Sequence, residues 1–155
     1  METSSSSAST ADHEVIITRI FDAPRELVFR AWTDPEHLAK WFGPKGFSTT
    51  VIENDARTGG AYDFHMRAPN VDEHWRGTYR EVVAPERIVF TWPTTRRHPE
   101  VIDTIVTVTL EEAGGKTRLT LRHAIFKTIA QRDDHNGGWN SALDRLGELV
   151  QVANA

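Results

Sequence analysis

Residues 77–92 read GTYREVVAPERIVFTW, two β-branched and aromatic runs separated by Ala84-Pro85-Glu86. Proline cannot donate to a strand ladder, so this composition predicts a strand over 75–83, a tight turn, and a second strand over 87–92. So short a connection makes the two neighbours antiparallel, because a parallel return needs a crossover of roughly a dozen residues or more. The same texture recurs on both sides, with strands expected at 47–53 and 61–67 before this hairpin and at 104–110 and 117–123 after it. The joints are Thr58-Gly59-Gly60, Ala68-Pro69-Asn70 and Glu112-Ala113-Gly114-Gly115, all turn formers. These strands form an antiparallel meander.

The flanks complete the pattern. EVIITRIF at 14–21 is a first strand, closed by Asp22-Ala23-Pro24. Pro24 suits the first turn of a short helix, with Asp22 as its expected cap, and Leu27, Val28, Ala31 and Trp32 recur at helical spacing. Thr33-Asp34-Pro35-Glu36 opens a second short helix carrying Leu38, Trp41 and Phe42, and Gly43-Pro44 ends it. Trp139, Ala142, Leu143, Leu146, Leu149 and Val150 form one apolar stripe, which places a long helix near 133–152. The fold class is α+β: a curved seven-stranded antiparallel sheet, two short helices after the first strand, and a long C-terminal helix. One helix cannot touch the whole concave face of such a sheet, so an apolar cavity is expected between them.

With 155 residues, 39% hydrophobic and 26% charged, the chain fits one globular domain, expected over 13–152. The Ser/Thr-rich stretch METSSSSASTAD at 1–12 is expected to be a disordered tail, and 153–155 a short C-terminal one. The first twelve residues have neither the basic start nor the apolar block of an export signal, and no segment approaches the roughly 20 apolar residues of a membrane helix. A cytoplasmic location without membrane insertion follows as the expectation. The absence of cysteine excludes disulfides, thiolate metal sites and cysteine nucleophiles. A formal net charge of -4 supplies no basic surplus for nucleic acid.

Four segments together resemble a known family: FDAPRELVFRAWTDPEHLAKWFGP at 21–44, GTYREVVAPERIVFTW at 77–92, TRLTLRH at 117–123 and GWNSALDRLGELV at 138–150. In this order they look like the activator of heat-shock protein 90 ATPase family, C-terminal-domain-like, within the START-like (SRPBCC, birch-pollen-allergen-like) superfamily. The resemblance spans about 16–150 and implies a helix-grip fold, in which the sheet wraps the C-terminal helix around an apolar cavity. Lipid and sterol carriers, hormone receptors, polyketide cyclases and co-chaperone domains share that superfamily, so fold alone does not choose among them. Trp41-Phe42-Gly43-Pro44 resembles the family's motif closing the second helix, read either as a ligand gate or as a plug in the core.

Strand parity supplies the candidate cavity wall. Tyr62, Phe64 and Met66 share one face of their strand, Trp75, Gly77 and Tyr79 one face of the next, and Ile88, Phe90 and Trp92 one face of the third. All of these but Ile88, together with Trp41, Phe42 and Trp139, line an expected pocket in which Gly77, having no side chain, leaves room for ligand. His123 shares parity with Leu119 and Leu121 and points inward, either as a satisfied core histidine or as a catalytic acid or base. Glu81 must be paired, with Arg76, Arg80 or Arg87, or lie near the rim. The seven histidines show no compact ligand spacing, so neither a metal nor another cofactor is expected. Gly137-Gly138, read at the start of the long helix, would thin the wall beside Trp139 and widen an entrance.

The leading functional reading is binding of a hydrophobic or amphipathic small molecule. A cofactor-independent cyclase or dehydratase acting on a polyketide-like substrate through His123, Tyr79 or Glu81, and a chaperone-interacting module, are the alternatives; a homodimer stays open.

Overall fold

The computed structural model describes residues 12–93 and 104–154. His98 and, apart from Asp12, the expected N-terminal tail lie outside the described residues. The chain runs β1 (Glu14–Phe21), α1 (Arg25–Thr33), α2 (Pro35–Trp41), β2 (Ser48–Asn54), β3 (Ala61–Ala68), β4 (Val71–Val83), β5 (Arg87–Trp92), β6 (Thr104–Ala113), β7 (Lys116–Ala124) and α3 (Ile129–Asn154). All neighbours are antiparallel in a single seven-stranded sheet of order β1-β7-β6-β5-β4-β3-β2. Helix α3 packs against β1, α1 and α2, which is the α+β helix-grip arrangement the element order predicts.

Local chemistry explains most element ends, and in several places it corrects the sequence reading. Pro24, not Asp22, occupies the N-cap of α1, and its carbonyl accepts from the N–H groups of Leu27 and Val28. For α2 the cap is Asp34, whose Oδ1 accepts from Glu36 N at 2.8 Å, with Pro35 just inside. Gly43, at φ +101°, takes the left-handed position after that helix.

Strand β4 begins at Val71, four residues before the expected 75, because Asp72, Glu73 and His74 pair in register with Arg67, Met66 and His65 of β3. Polar residues on that segment read as loop, yet the ladder accepts them on a half-exposed surface.

Helix α3 begins at Ile129, not near 133. Thr128 Oγ1 accepts from Gln131 N at 3.1 Å, and Gln131 Oε1 accepts from Lys127 N at 3.2 Å, close to a capping box. Gly137 and Gly138 therefore lie inside the helix instead of at its start. The core fills the space between sheet and helices: Val106, Val108, Leu119 and Leu121 on the sheet face Leu143 and Leu146 of α3, all at 1% exposure or less. Each such side chain stabilises the fold by about 1.5–3 kcal/mol relative to exposure.

Candidate functional site

Helix α3 leaves one end of the concave face uncovered, and there a cleft of about 690 Å³ opens. Its walls come from three places: the α2–β2 turn with Phe42 and Phe47, the inner faces of β3 to β5 with Met66, Trp75 and Trp92, and α3 with Trp139. Alternation on the strands brings these side chains to one face, as parity predicts. The rings interlock: Trp75 and Trp92 stack at 4.9 Å and 15°, and Phe42 meets Trp139 edge-on at 5.8 Å and 88°. No leucine, isoleucine or valine lines this cleft among the described residues.

Five of the twelve sequence-derived candidates, Phe42, Met66, Trp75, Trp92 and Trp139, thus come together on the cleft. Tyr62, Phe64, Tyr79 and Phe90 lie deeper, around a separate void of only about 10 Å³ that Trp32 and Phe42 also line. Trp41 is fully buried, donates from Nε1 to Ala31 O at 2.8 Å, and packs edge-on against Trp32 at 4.7 Å. It plugs the core, while its neighbour Phe42 divides void from cleft.

Gly77 does not leave space for a ligand. A Cβ there would stand 2.5 Å from the Tyr62 hydroxyl and 2.6 Å from Thr91 Oγ1, so the Tyr62 ring already occupies the room. Tyr62 Oη is held there by donating to Thr91 O.

His123 is fully buried behind Trp139, and both of its nitrogens are engaged. An indole N–H can only donate, so Trp139 Nε1, 3.0 Å from His123 Nδ1, makes that nitrogen the acceptor. His123 Nε2 then carries the proton and donates to Thr104 Oγ1 at 2.8 Å, and Thr104 donates in turn to Trp92 O. The chain of donors runs Trp139, His123, Thr104, Trp92, and it ties two cleft walls together. Burial, with the nearby His135, holds the imidazole pKa well below the ordinary histidine value.

The remaining ionisable candidates are equally committed. Burial raises the Tyr62 and Tyr79 phenols above their ordinary range, and Tyr79 Oη donates to Asn54 Oδ1 at 2.5 Å. A register shift after Tyr79 brings Glu81 to the surface, where its Oε1 is 2.8 Å from Arg87 Nε. Among the described residues no three His, Asp or Glu side chains are placed to hold a metal ion.

Several site residues escaped the sequence reading. Phe47 enters the cleft just before β2 instead of starting the strand. Glu73 accepts from Trp75 Nε1 at 2.9 Å and brings a carboxylate to the wall, in a segment read as loop. Arg145 sits on α3 and donates to the carbonyls of Gly43, Pro44, Phe47 and Lys40 at 2.9, 3.2, 3.4 and 3.0 Å. It bolts the turn forming one cleft wall to the helix forming another. Backbone carbonyls carry no sequence signature, so nothing in the chain announced this role; a Thr128-x-x-Gln131 capping pattern, by contrast, was there to be read.

A family model described as Activator of Hsp90 ATPase homolog 1-like protein matches residues 22–151. Protein CV1439 from Chromobacterium violaceum is 32% identical, with a TM-score of 0.78 over 89% of this chain and 97% of that one. A solution structure from Staphylococcus epidermidis is 29% identical, with a TM-score of 0.77 over 91% of each chain. The AHSA1 protein from Silicibacter pomeroyi, at 23% identity and a TM-score of 0.78 over 90% of this chain and 99% of that one, shares the fold. No curated protein matches the chain.

Proposed function

This chain belongs to the Activator of Hsp90 ATPase homolog 1-like family of START-like proteins, and from that premise we propose that its cleft binds an apolar or amphipathic small molecule. The observation that carries the reading is the wall of aromatic rings around about 690 Å³, a volume within the usual range of small-molecule sites. Stacked and edge-on rings present flat apolar surface at little entropic cost, and Met66 adapts to irregular shapes. We favour carriage over catalysis because the three groups that the sequence singled out for proton transfer are occupied: His123 at both nitrogens, Tyr79 by Asn54, and Glu81 by Arg87 away from the cleft. No described helix is long and apolar enough to cross a membrane, and we place the protein in the cytoplasm as a single-domain carrier.

Native mass spectrometry of freshly purified protein tests this, with a retained organic molecule as the expected result. Titration with an apolar fluorescent probe should then saturate at one site per chain. Failure of probes across a range of sizes to saturate refutes the carrier reading.

A further inference from the structure

Behind the cleft, one polar group is left without a partner. Trp32 is 2% exposed, and its Nε1–H has no acceptor among the described residues, whereas Trp41, Trp75 and Trp139 donate to Ala31 O, Glu73 and His123. A buried donor without an acceptor is uncommon and calls for an explanation. Trp32 lines the inner void of about 10 Å³, room for about one oxygen-sized atom. The tyrosine hydroxyls on the same void already donate to Thr91 and Asn54, so the indole N–H is the donor left over. Phe42 lines both this void and the cleft, so its ring is the partition between them.

We propose that the void is the polar end of the ligand site: Phe42 turns aside, and Trp32 Nε1–H donates to a carbonyl-type oxygen at the buried end of an apolar ligand. This rests on the reading of the cleft as a small-molecule site and adds its chemical class, an apolar molecule with a hydrogen-bond acceptor on the end that enters first. Elsewhere the cleft holds an apolar ligand mainly on its rings, with Glu73, Asp133, Asp134 and His135 also on its lining, and a donor at the closed end sets which end enters first. An ionised acid is a poor fit at that end, because no cation among the described residues lines the void to offset the desolvation of its charge.

The test uses two molecules of nearly equal shape, acetophenone and α-methylstyrene, which differ in C=O against C=CH₂. Indole N–H resonances of the isotope-labelled full chain are followed by NMR, with tryptophans assigned by single Trp→Phe variants. At saturation, acetophenone should move the Trp32 indole proton downfield while α-methylstyrene leaves it near its free position. In Trp32→Phe, the affinity ratio of acetophenone to α-methylstyrene should fall about tenfold, the effect of one hydrogen bond to a buried donor.

If both molecules bind saturably but neither moves the Trp32 proton, the void holds water or nothing, and the proposal falls while the carrier reading stands. If neither binds saturably, the proposal falls, and the carrier reading falls with it only when larger apolar probes also fail to saturate. Should Trp32→Phe fail to fold, the wild-type spectra decide alone.

Discussion

Adding side chains at Gly137 and Gly138 separates what the C-terminal helix needs for stability from what the cleft needs for binding. Both glycines lie inside α3, where glycine costs about 1 kcal/mol relative to alanine. Beyond the adjoining turns of its own helix, a Cβ at Gly137 would meet no described atom within 4 Å, and at Gly138 only Pro44 Cγ at 3.7 Å, an ordinary contact. Neither addition meets resistance, so Gly137→Ala and Gly138→Ala should each stabilise by about 1 kcal/mol, which for a domain of this size raises Tm by about 3 °C.

Gly77→Ala supplies the opposite case. Its Cβ would force Tyr62 and Thr91 aside, at a cost of about 1–3 kcal/mol. Gly138→Leu then adds bulk at the cleft wall, so it should retain stability while weakening an apolar fluorescent probe tenfold or more. Urea unfolding and probe titration read the two quantities separately. Alanine variants that lose stability would refute the continuous helix through 137–138, and a Gly138→Leu protein that binds like wild type would move the site elsewhere.

Three further outcomes are expected. Because His123 is neutral in the fold with a pKa below its unfolded 6.5, the unfolded chain binds more protons in acid, so stability falls as pH drops below about 6.5, by up to about 1.4 kcal/mol per pH unit; urea midpoints in His123→Leu should show a shallower acid slope even though the variant is less stable at neutral pH. Arg145→Met should cost about 1–3 kcal/mol and speed amide hydrogen exchange at Phe47, whose N–H is bonded to Pro44 O, with Lys at 145 recovering only part because one ammonium cannot serve four carbonyls. Asp34→Ala should lower stability by about 1 kcal/mol in thermal melts, through loss of the α2 cap.

The sheet was legible in the chain because period-two alternation and turn residues act locally: Ala84-Pro85-Glu86 defines a hairpin wherever it stands, and Tyr62, Phe64 and Met66 share a face by pleat geometry alone. The helix start at Thr33-Asp34-Pro35-Glu36 and the apolar stripe of the C-terminal helix follow from equally short-range rules. What parity cannot say is how far along a shared face a pocket extends.

Gly77 and Trp75 have the same parity, yet the Tyr62 ring, pinned to Thr91, fills the space at one and leaves the cleft at the other. His123 pointed inward on sequence grounds, but its protonation state depends on Trp139 and Thr104 closing on its two nitrogens from other elements. Arg145, and the unpartnered N–H of Trp32, depend on contacts across long stretches of chain. Local preference acts over a few residues and writes itself into sequence; which side chain occupies a given volume is decided only when all the elements pack against one another at once.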